Sequence, residues 1–454
     1  MVSPAGASRW RATLTRPVCS PADVATTTLR DEATGLLQEL LRLNTVNPPG
    51  NETVAAELLR AYLEESGVAC ELYAREPARA NLVARIPGRG DGPSLLLLSH
   101  TDTVVADPAE WSVDPWSGEL REGCVWGRGA LDMKGHVAAA ATAIATLARE
   151  GFEPAGDLVF AATADEEVGV DVGLSWLCKA HPGAVRTDYC VNEGAGERVA
   201  LGGRTVYLCT TAEKMSAPFR LKVHGRSGHA SMPGIADNAL VRAARLIERL
   251  DGLREPPRLI PETKALFARL GEVPEPAKLE RAVAGLPVDV RQMVEPMLGL
   301  AVSPTIISAS TSTNVIPGLC EVVCDCRLLP GETPADIEPI VRAGLGEDSY
   351  ELEWVEAVGG TRSPLGTPLW DAIESFVVET DPDAGVVPIV SPGFTDSHFL
   401  REAFGTVAYG FFPMRAMDPE LAARLVHSAD ERIAVEDLEL GVRFLRHVAA
   451  TLGG

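Results

Sequence analysis

The chain is short of positive charge: in 454 residues, 41 Lys and Arg stand against 63 Asp and Glu, a formal net charge of −22. That balance argues against partners held through clustered cations, such as a nucleic-acid backbone or an anionic membrane surface, and reads as a solvated acidic exterior. No apolar run approaches the ~20 residues needed to cross a bilayer, and no apolar secretory segment opens the chain. The nine cysteines are odd in number and follow no regular framework, which points to free thiols in a reducing compartment, the cytoplasm. The sequon Asn51-Glu52-Thr53 is then idle. Internal repeats and sustained low-complexity tracts are also lacking.

What is present is apolar material for large cores, 46% of residues, in a chain too long for one of them, since single cores stop growing near ~250–300 residues. Residues 1–30 carry Arg9, Arg11 and Arg16 with no acid before Asp23. This is a faint likeness to an organelle transit segment, and an extension without fixed structure is the preferred reading. From residue 31, helical spacing over Asp31–Leu43 and Val54–Ser66 is followed by apolar segments at Asn81–Ile86, Ser94–Ser99, Asp157–Thr163 and Asp188–Val191. These alternate with helical stretches such as His136–Arg149, a pattern that argues for an α/β sheet covered on both faces.

Near Glu213 the texture changes. Phe219–His224 alternates as a half-exposed strand, Asp237–Leu250 is helical, and strands follow at Thr305–Ser308 and Leu319–Leu329. The expected organisation is a larger domain built from residues 31–212 and 330–454, interrupted by a smaller α+β domain at 213–329. The larger domain is expected to resume with a helix near Thr367–Val378, strands near Gly385–Val390 and Thr406–Phe411, and a last helix Val435–Leu452. Arg254–Ser303, with helical Ala277–Ala284 and Val288–Leu298, reads as an elaboration of the insert.

The chemistry concentrates where strands end. Ser99-His100-Thr101-Asp102 follows the run Leu95–Leu98, and residues two apart on an extended strand point the same way. His100 can therefore bind a metal while Asp102 accepts its other ring N–H, fixing the tautomer. Glu166 and Glu167 are adjacent and so face opposite directions; one suits a metal, the other a water, although a pair of acids also suits a solvated turn. Asp132, just ahead of a helix, is a ligand candidate or simply an N-cap. With Glu193 after one apolar segment and His427 after another, two histidines and several carboxylates lie on the edge where open α/β sheets hold their ligands. Asp132, Glu167, Glu193 and one hydroxide balance two divalent cations. Imidazole and carboxylate without thiolate suit Zn first, with Co or Mn as alternatives.

These residues, with Gly129-Ala130-Leu131-Asp132-Met133-Lys134-Gly135, Asp165-Glu166-Glu167, Gly225-Arg226-Ser227-Gly228-His229-Ala230-Ser231-Met232-Pro233 and Thr313-Asn314-Val315-Ile316-Pro317-Gly318, resemble the M20 family of di-zinc peptidases and amidohydrolases over nearly the whole chain after residue 31. The resemblance implies a mixed sheet covered by helices plus a lid and dimerisation domain. It makes Asp132 the bridge between two zinc ions, with His100 and Glu193 on one and Glu167 and His427 on the other. Glu166 becomes the general base that takes a proton from the bridging water and passes it to the leaving nitrogen, with Asp102 supporting His100. His229 would reach the site from the insert, often from a partner subunit, which implies a homodimer; a local hydrogen bond is its other reading. Asn314 and Arg327 match positions that hold a substrate carboxylate, although Arg327 also suits an ordinary strand surface. Cys320, Cys324 and Cys326 share the opposite, core face of that strand.

Gly393-Phe394-Thr395-Asp396-Ser397-His398 resembles the glycine loop beside the substrate, with His398 where related carboxypeptidases and N-acyl-amino-acid hydrolases carry arginine. The expected activity is hydrolysis of an amide beside a free carboxylate in a small peptide or N-acyl amino acid. Desuccinylase-like or carbamoyl-amidohydrolase chemistry, or a catalytically silent metal-dependent ligand-binding protein, are the alternatives.

Overall fold

A computed structural model of the chain describes residues 28–453. The extension expected at residues 1–30, with Arg9, Arg11 and Arg16, lies outside the described residues up to residue 27. The larger domain is built on a nine-stranded mixed sheet. From one edge its strands run Ala69–Ala74, Ala80–Ile86, Leu158–Thr163, Leu95–His100, Tyr189–Asn192, Val407–Gly410, Arg204–Glu213 and Ala384–Ser391; Arg198–Leu201 hairpins onto Arg204–Glu213. The middle is parallel. Leu95–His100 pairs in parallel with both Leu158–Thr163 and Tyr189–Asn192, which pairs in parallel with Val407–Gly410.

Every residue of Leu95–His100 and of Leu158–Thr163 is buried, as a parallel strand covered on both faces requires. One cover is the helix Lys134–Arg149, buried along its length from Lys134 to Leu147. Its five alanines between Ala138 and Ala143 keep its girth small, so Leu29–Leu41 and Val435–Gly453 pack directly against it. Among the described residues no helix is long and apolar enough to cross a membrane.

The smaller sheet has six strands: Tyr350–Trp354, Phe219–His224, Leu319–Leu328, Met215–Ser216 and Val358–Gly359 in order, with Ala301–Ser308 also paired to Leu319–Leu328. Phe219, Leu221 and Val223 turn inward with Cys320, Cys324 and Cys326 under the helices Ala239–Asp251 and Pro334–Leu345. Two expectations are corrected. Pro334–Leu345 packs on this sheet and Tyr350–Trp354 is one of its strands, so the insert continues past residue 330; Tyr350–Trp354 pairs with Phe219–His224, which would otherwise be an open edge. The Arg254–Ser303 segment joins the small sheet only at its end, Ala301–Ser303. Its helices Pro261–Leu270, Leu279–Ala284 and Val288–Val294 set Leu266, Phe267, Val283 and Val294 on Leu208, Val387 and Val390 of the large sheet. That face has apolar strand residues to cover, whereas the core face of the small sheet already has two helices.

Candidate metal centre

Parallel pairing brings the site together. His100 is level with Thr163 and Leu97 with Val191, so the segments leaving the carboxyl ends of three adjacent strands start side by side: Thr101-Asp102, Ala164–Glu167 and Glu193. Gly410, at the end of the fourth strand, is needed for this approach, because a Cβ there would collide with the carbonyl of Glu193.

His100 is 2% exposed. Its Nδ1 lies 3.1 Å from the main-chain carbonyl of Asp102 and 3.4 Å from Asp102 Oδ1. Nδ1–H therefore donates there, and Nε2 is left as an acceptor facing the centre. The sequence reading assigned that proton to the Asp102 carboxylate; the main-chain oxygen is the nearer acceptor. The Asp102 carboxylate accepts instead from the backbone N–H of Glu166 (3.2 Å) and Glu167 (3.1 Å) and from Asn47 Nδ2 (3.0 Å). Burial opposes this anion, but His100, Asn47 and the Glu167 N–H hold it below the usual carboxylate range.

Asp132 is not an N-cap: Met133 occupies that position, without a side-chain cap. Its two oxygens are divided. Oδ1 lies 3.1 Å from His100 Nε2 and Oδ2 3.0 Å from His427 Nε2. His100 Nε2 is also 3.7 Å from Glu193 Oε1, and His427 Nε2 is 3.2 Å from Glu167 Oε2. The adjacent acids part: Glu167 lies with His427, and Glu166 groups with His100 and Glu193. Left-handed backbone at Asp165 (φ 71°) and His427 (φ 59°) lets both turns reverse at the cluster, a conformation that Asp tolerates better than most residues.

The electrostatics are those of a site for cations. Burial raises Glu166 well above the carboxylate range, and Glu193 raises it further. Glu193 is raised by burial. His427 is pushed up to about 10 by hydrogen bonds to Asp132 and Glu167. His100 rises as well, with Glu193, Asp102 and Asp132 overcoming a burial that opposes charge. Glu167 Oε1 is buried with no hydrogen-bond partner. An orphaned oxygen in a ring of carboxylates and two histidines fits a pair of divalent ions, with Asp132 between them.

With this geometry in place, the comparisons with known proteins decide the family. The model for peptidase family M20/M25/M40 matches residues 96–451. The chain belongs to this family. A succinyl-diaminopimelate desuccinylase from Methylobacterium radiotolerans is 28% identical over 425 residues, covering 90% of this chain and 94% of that protein. An M20 family metallo-carboxypeptidase from Sulfolobus solfataricus shares the fold with a TM-score of 0.70 at 18% identity, over 93% of this chain and 99% of that one. Human carnosine dipeptidase 1 does so with a TM-score of 0.66 at 15% identity, over 93% and 96%. The protein is an M20 metallohydrolase, dependent on divalent metal.

The other residues singled out from sequence lie apart from this cluster in their contacts. His229 is exposed; its Nδ1 lies 2.8 Å from Ser231 Oγ. Asn314 is its neighbour across the pair Gly228–His229 and Val315–Ile316, its carbonyl accepting from Ala230 N at 2.9 Å. Arg327 donates through Nε to Asp325 Oδ1 at 2.7 Å. Gly393 turns between Ala384–Ser391 and the helix Ser397–Phe404, in which His398 is buried and donates through Nδ1 to the Thr395 carbonyl at 2.7 Å. Burial pushes that imidazole down to about 4.

Sequence reasoning missed the supports of this M20 site. Asn47 donates to Asp102 and, at 3.3 Å, to Asp165. Arg79 pairs with buried Glu52 at 2.5 and 2.7 Å and reaches Asp165 at 3.4 Å. Glu431, fully buried, gathers Arg128 Nη1 (2.6 Å) and the backbone N–H of Gly129 (3.0 Å), Leu131 (2.7 Å) and Asp132 (3.0 Å). It thereby fixes the turn that carries Asp132. Its place four residues after His427 was the available signal.

Proposed function

We propose that the protein hydrolyses an amide bond beside a free carboxylate, in a small peptide or an N-acyl amino acid. The observation that carries this reading is the division of Asp132 between two histidine–carboxylate sets, with a second acid, Glu166, half-buried at their margin. His100, Glu193 and Asp132 would hold one ion, and His427, Glu167 and Asp132 the other. Zinc suits this thiolate-free donor set, with cobalt or manganese as substitutes. When bound, the ions supply Lewis acidity, acidifying water and polarising the scissile carbonyl.

The residues of the chain do the rest. Glu166, whose raised proton affinity matches a general base, takes the proton of the attacking water and delivers it to the leaving nitrogen. Asp102 keeps His100 in the tautomer that presents Nε2 and, through the two N–H groups it accepts, sets the entry of Glu166 and Glu167. Arg327 and Asn314 would take the substrate carboxylate, His229 would support the oxyanion, and Gly393 and His398 would border the substrate.

His229 and Asn314 lie on the insert, so domain closure or a partner subunit must deliver them. A homodimer is supported by the edge strand Ala301–Ser308, which exposes Ile306 and Ile307. The eight described cysteines, all unpaired, support a cytoplasmic setting. Desuccinylation is the second reading, favoured by the name of the curated relative.

Glu166→Gln tests the proposal. Turnover of a panel of dipeptides and N-acyl amino acids should fall at least ~100-fold, in line with loss of a general base, while two ions per chain are retained. Unchanged turnover would remove Glu166 from the mechanism, and no metal-dependent hydrolysis by the parent protein on any amide would remove the proposal.

A further inference from the structure

One cavity adjoins the cluster, and a second adjoins that cavity. The first, about 260 Å³, has Asp132 and Glu193 at its wall and is otherwise enclosed largely by apolar side chains, among them Met133, Phe412 and Val426. His136 contributes an uncharged ring: it is 3% exposed, lies 4.9 Å from the Phe412 ring centre, and burial pushes it down to about 3. The second cavity, about 500 Å³, shares Gly194, Glu197 and Ala423 with the first and runs on to Leu208, Val290, Met293 and Ile389, with the exposed Arg198 and Glu420 also in its lining. Val290 and Met293 come from the helix Val288–Val294, part of the segment that packs on the large sheet instead of the insert.

We propose that the two cavities form one apolar channel leading from the metal cluster, and that it receives an elongated aliphatic acyl chain, making medium- to long-chain N-acyl amino acids the preferred substrates. The inference rests on the amide-hydrolase reading above. Its direction follows from the walls. The groups assigned to the substrate carboxylate, Asn314 and Arg327, lie on the insert, and no residue of the small sheet lines either cavity. The part of the substrate entering them therefore lies across the scissile bond from the carboxylate, on the acyl side. Hydrocarbon is the chemistry that matches walls of Leu, Met, Val, Phe and Ile, since each buried methylene contributes about 0.8 kcal/mol. Glu197 stands at the junction, and Arg198 and Glu420 are the other charged side chains of the second cavity.

The test is an acyl series on a single amino acid, acetyl, succinyl, hexanoyl and dodecanoyl, assayed with metal-loaded protein. The kcat/KM should rise from acetyl to dodecanoyl, by up to about 4-fold for each methylene that enters the channel, and hexanoyl should exceed succinyl. Ala423→Phe, placed at the junction, should abolish the dodecanoyl advantage while leaving the acetyl rate unchanged. A flat series, a succinyl preference or an Ala423→Phe protein with the parent profile overturns the channel and leaves amide hydrolysis standing.

Thermal stabilisation of the metal-free protein by the same compounds gives a readout independent of turnover and of the variant's folding. It should be larger for dodecanoyl than for acetyl. If no compound is hydrolysed, the amide-hydrolase reading fails, and this binding order alone decides the channel: equal shifts refute it.

Discussion

Replacing Glu431 with Gln changes one atom and should damage the centre without touching a metal-binding side chain. Each carboxylate oxygen of Glu431 serves two donors: Oε2 takes Arg128 Nη1 and Gly129 N–H, Oε1 takes Leu131 and Asp132 N–H. Whichever oxygen becomes an amide nitrogen, two donors lose their acceptor and face a third donor. Arg128, 2% exposed, also loses its buried counter-charge; what remains for it is the Ser428 carbonyl at 3.1 Å and the Trp111 ring. Breaking one side of a buried ion pair costs about 3–5 kcal/mol. The two lost hydrogen bonds are part of that figure and are not added to it.

With the Asp132 turn no longer pinned, metal affinity should drop ~10–100-fold, as when the partners of metal ligands are removed. Urea unfolding of the metal-free protein measures the first effect, and zinc titration against a competing chelator the second. The double variant Arg128→Met with Glu431→Met separates them. Removing both charges should restore part of the stability but not the metal affinity, because the N–H groups of Gly129, Leu131 and Asp132 still lack an acceptor. A Glu431→Gln protein within about 1 kcal/mol of the parent, with an unchanged zinc isotherm, would refute the reasoning.

His427→Ala should bind one ion per chain instead of two, read by elemental analysis after dialysis, because His100, Glu193 and Asp132 still form a set; loss of both ions would mean that the two positions fill only together. Arg79→Met strands the Glu52 carboxylate, 0% exposed, and should destabilise the metal-free protein by about 3–5 kcal/mol, visible as a lower urea midpoint; a midpoint equal to the parent's would show that Glu52 is buried uncharged. His398 supplies a pH test. Its folded value of about 4 lies below the unfolded one near ~6.5, so on acidification the unfolded chain binds this proton first and stability falls between those two values. The loss reaches at most about 3 kcal/mol. His398→Phe, which cannot titrate, should lose less stability than the parent between pH 7 and pH 4.5; parallel melting curves would show that the imidazole is charged in the fold.

The division between what the sequence discloses and what it withholds follows the range of the interactions. Phe219–His224 was legible residue for residue because burial alternates along it, and Lys134–Arg149 because a run of alanines with apolar spacing has few other solutions. His100, Glu166, Glu167 and Glu193 could be singled out because each stands at or within four residues of the end of an apolar strand, and parallel strands put such ends together. The end of the insert was misplaced at Pro330 because Pro330-Gly331-Glu332-Thr333-Pro334 is turn chemistry, and a turn inside a domain looks the same as one between domains. What assigns Tyr350–Trp354 to the small sheet is its pairing with Phe219–His224, more than a hundred residues earlier, about which local pattern is silent.

The same limit hides the supports of the centre. Glu431 and its guanidinium partner are 303 residues apart, and Arg79 and Asp165 are 86 apart, so neither pair leaves a periodic trace. Both charges of each pair look, in the linear chain, like solvated surface. Burial turns these charges into requirements, since a buried carboxylate persists only where donors meet it. The candidate cluster is therefore disclosed in part by residues at strand ends, such as His100 and Glu193, while Asp132, just before the helix Lys134–Arg149, His427, just after the helix Pro419–Leu425, and the residues that hold the cluster in register come together only once the sheet is closed. Substitutions at Glu431, Arg79 and Asn47 are accordingly the ones for which the fold, and not the motif, makes the prediction.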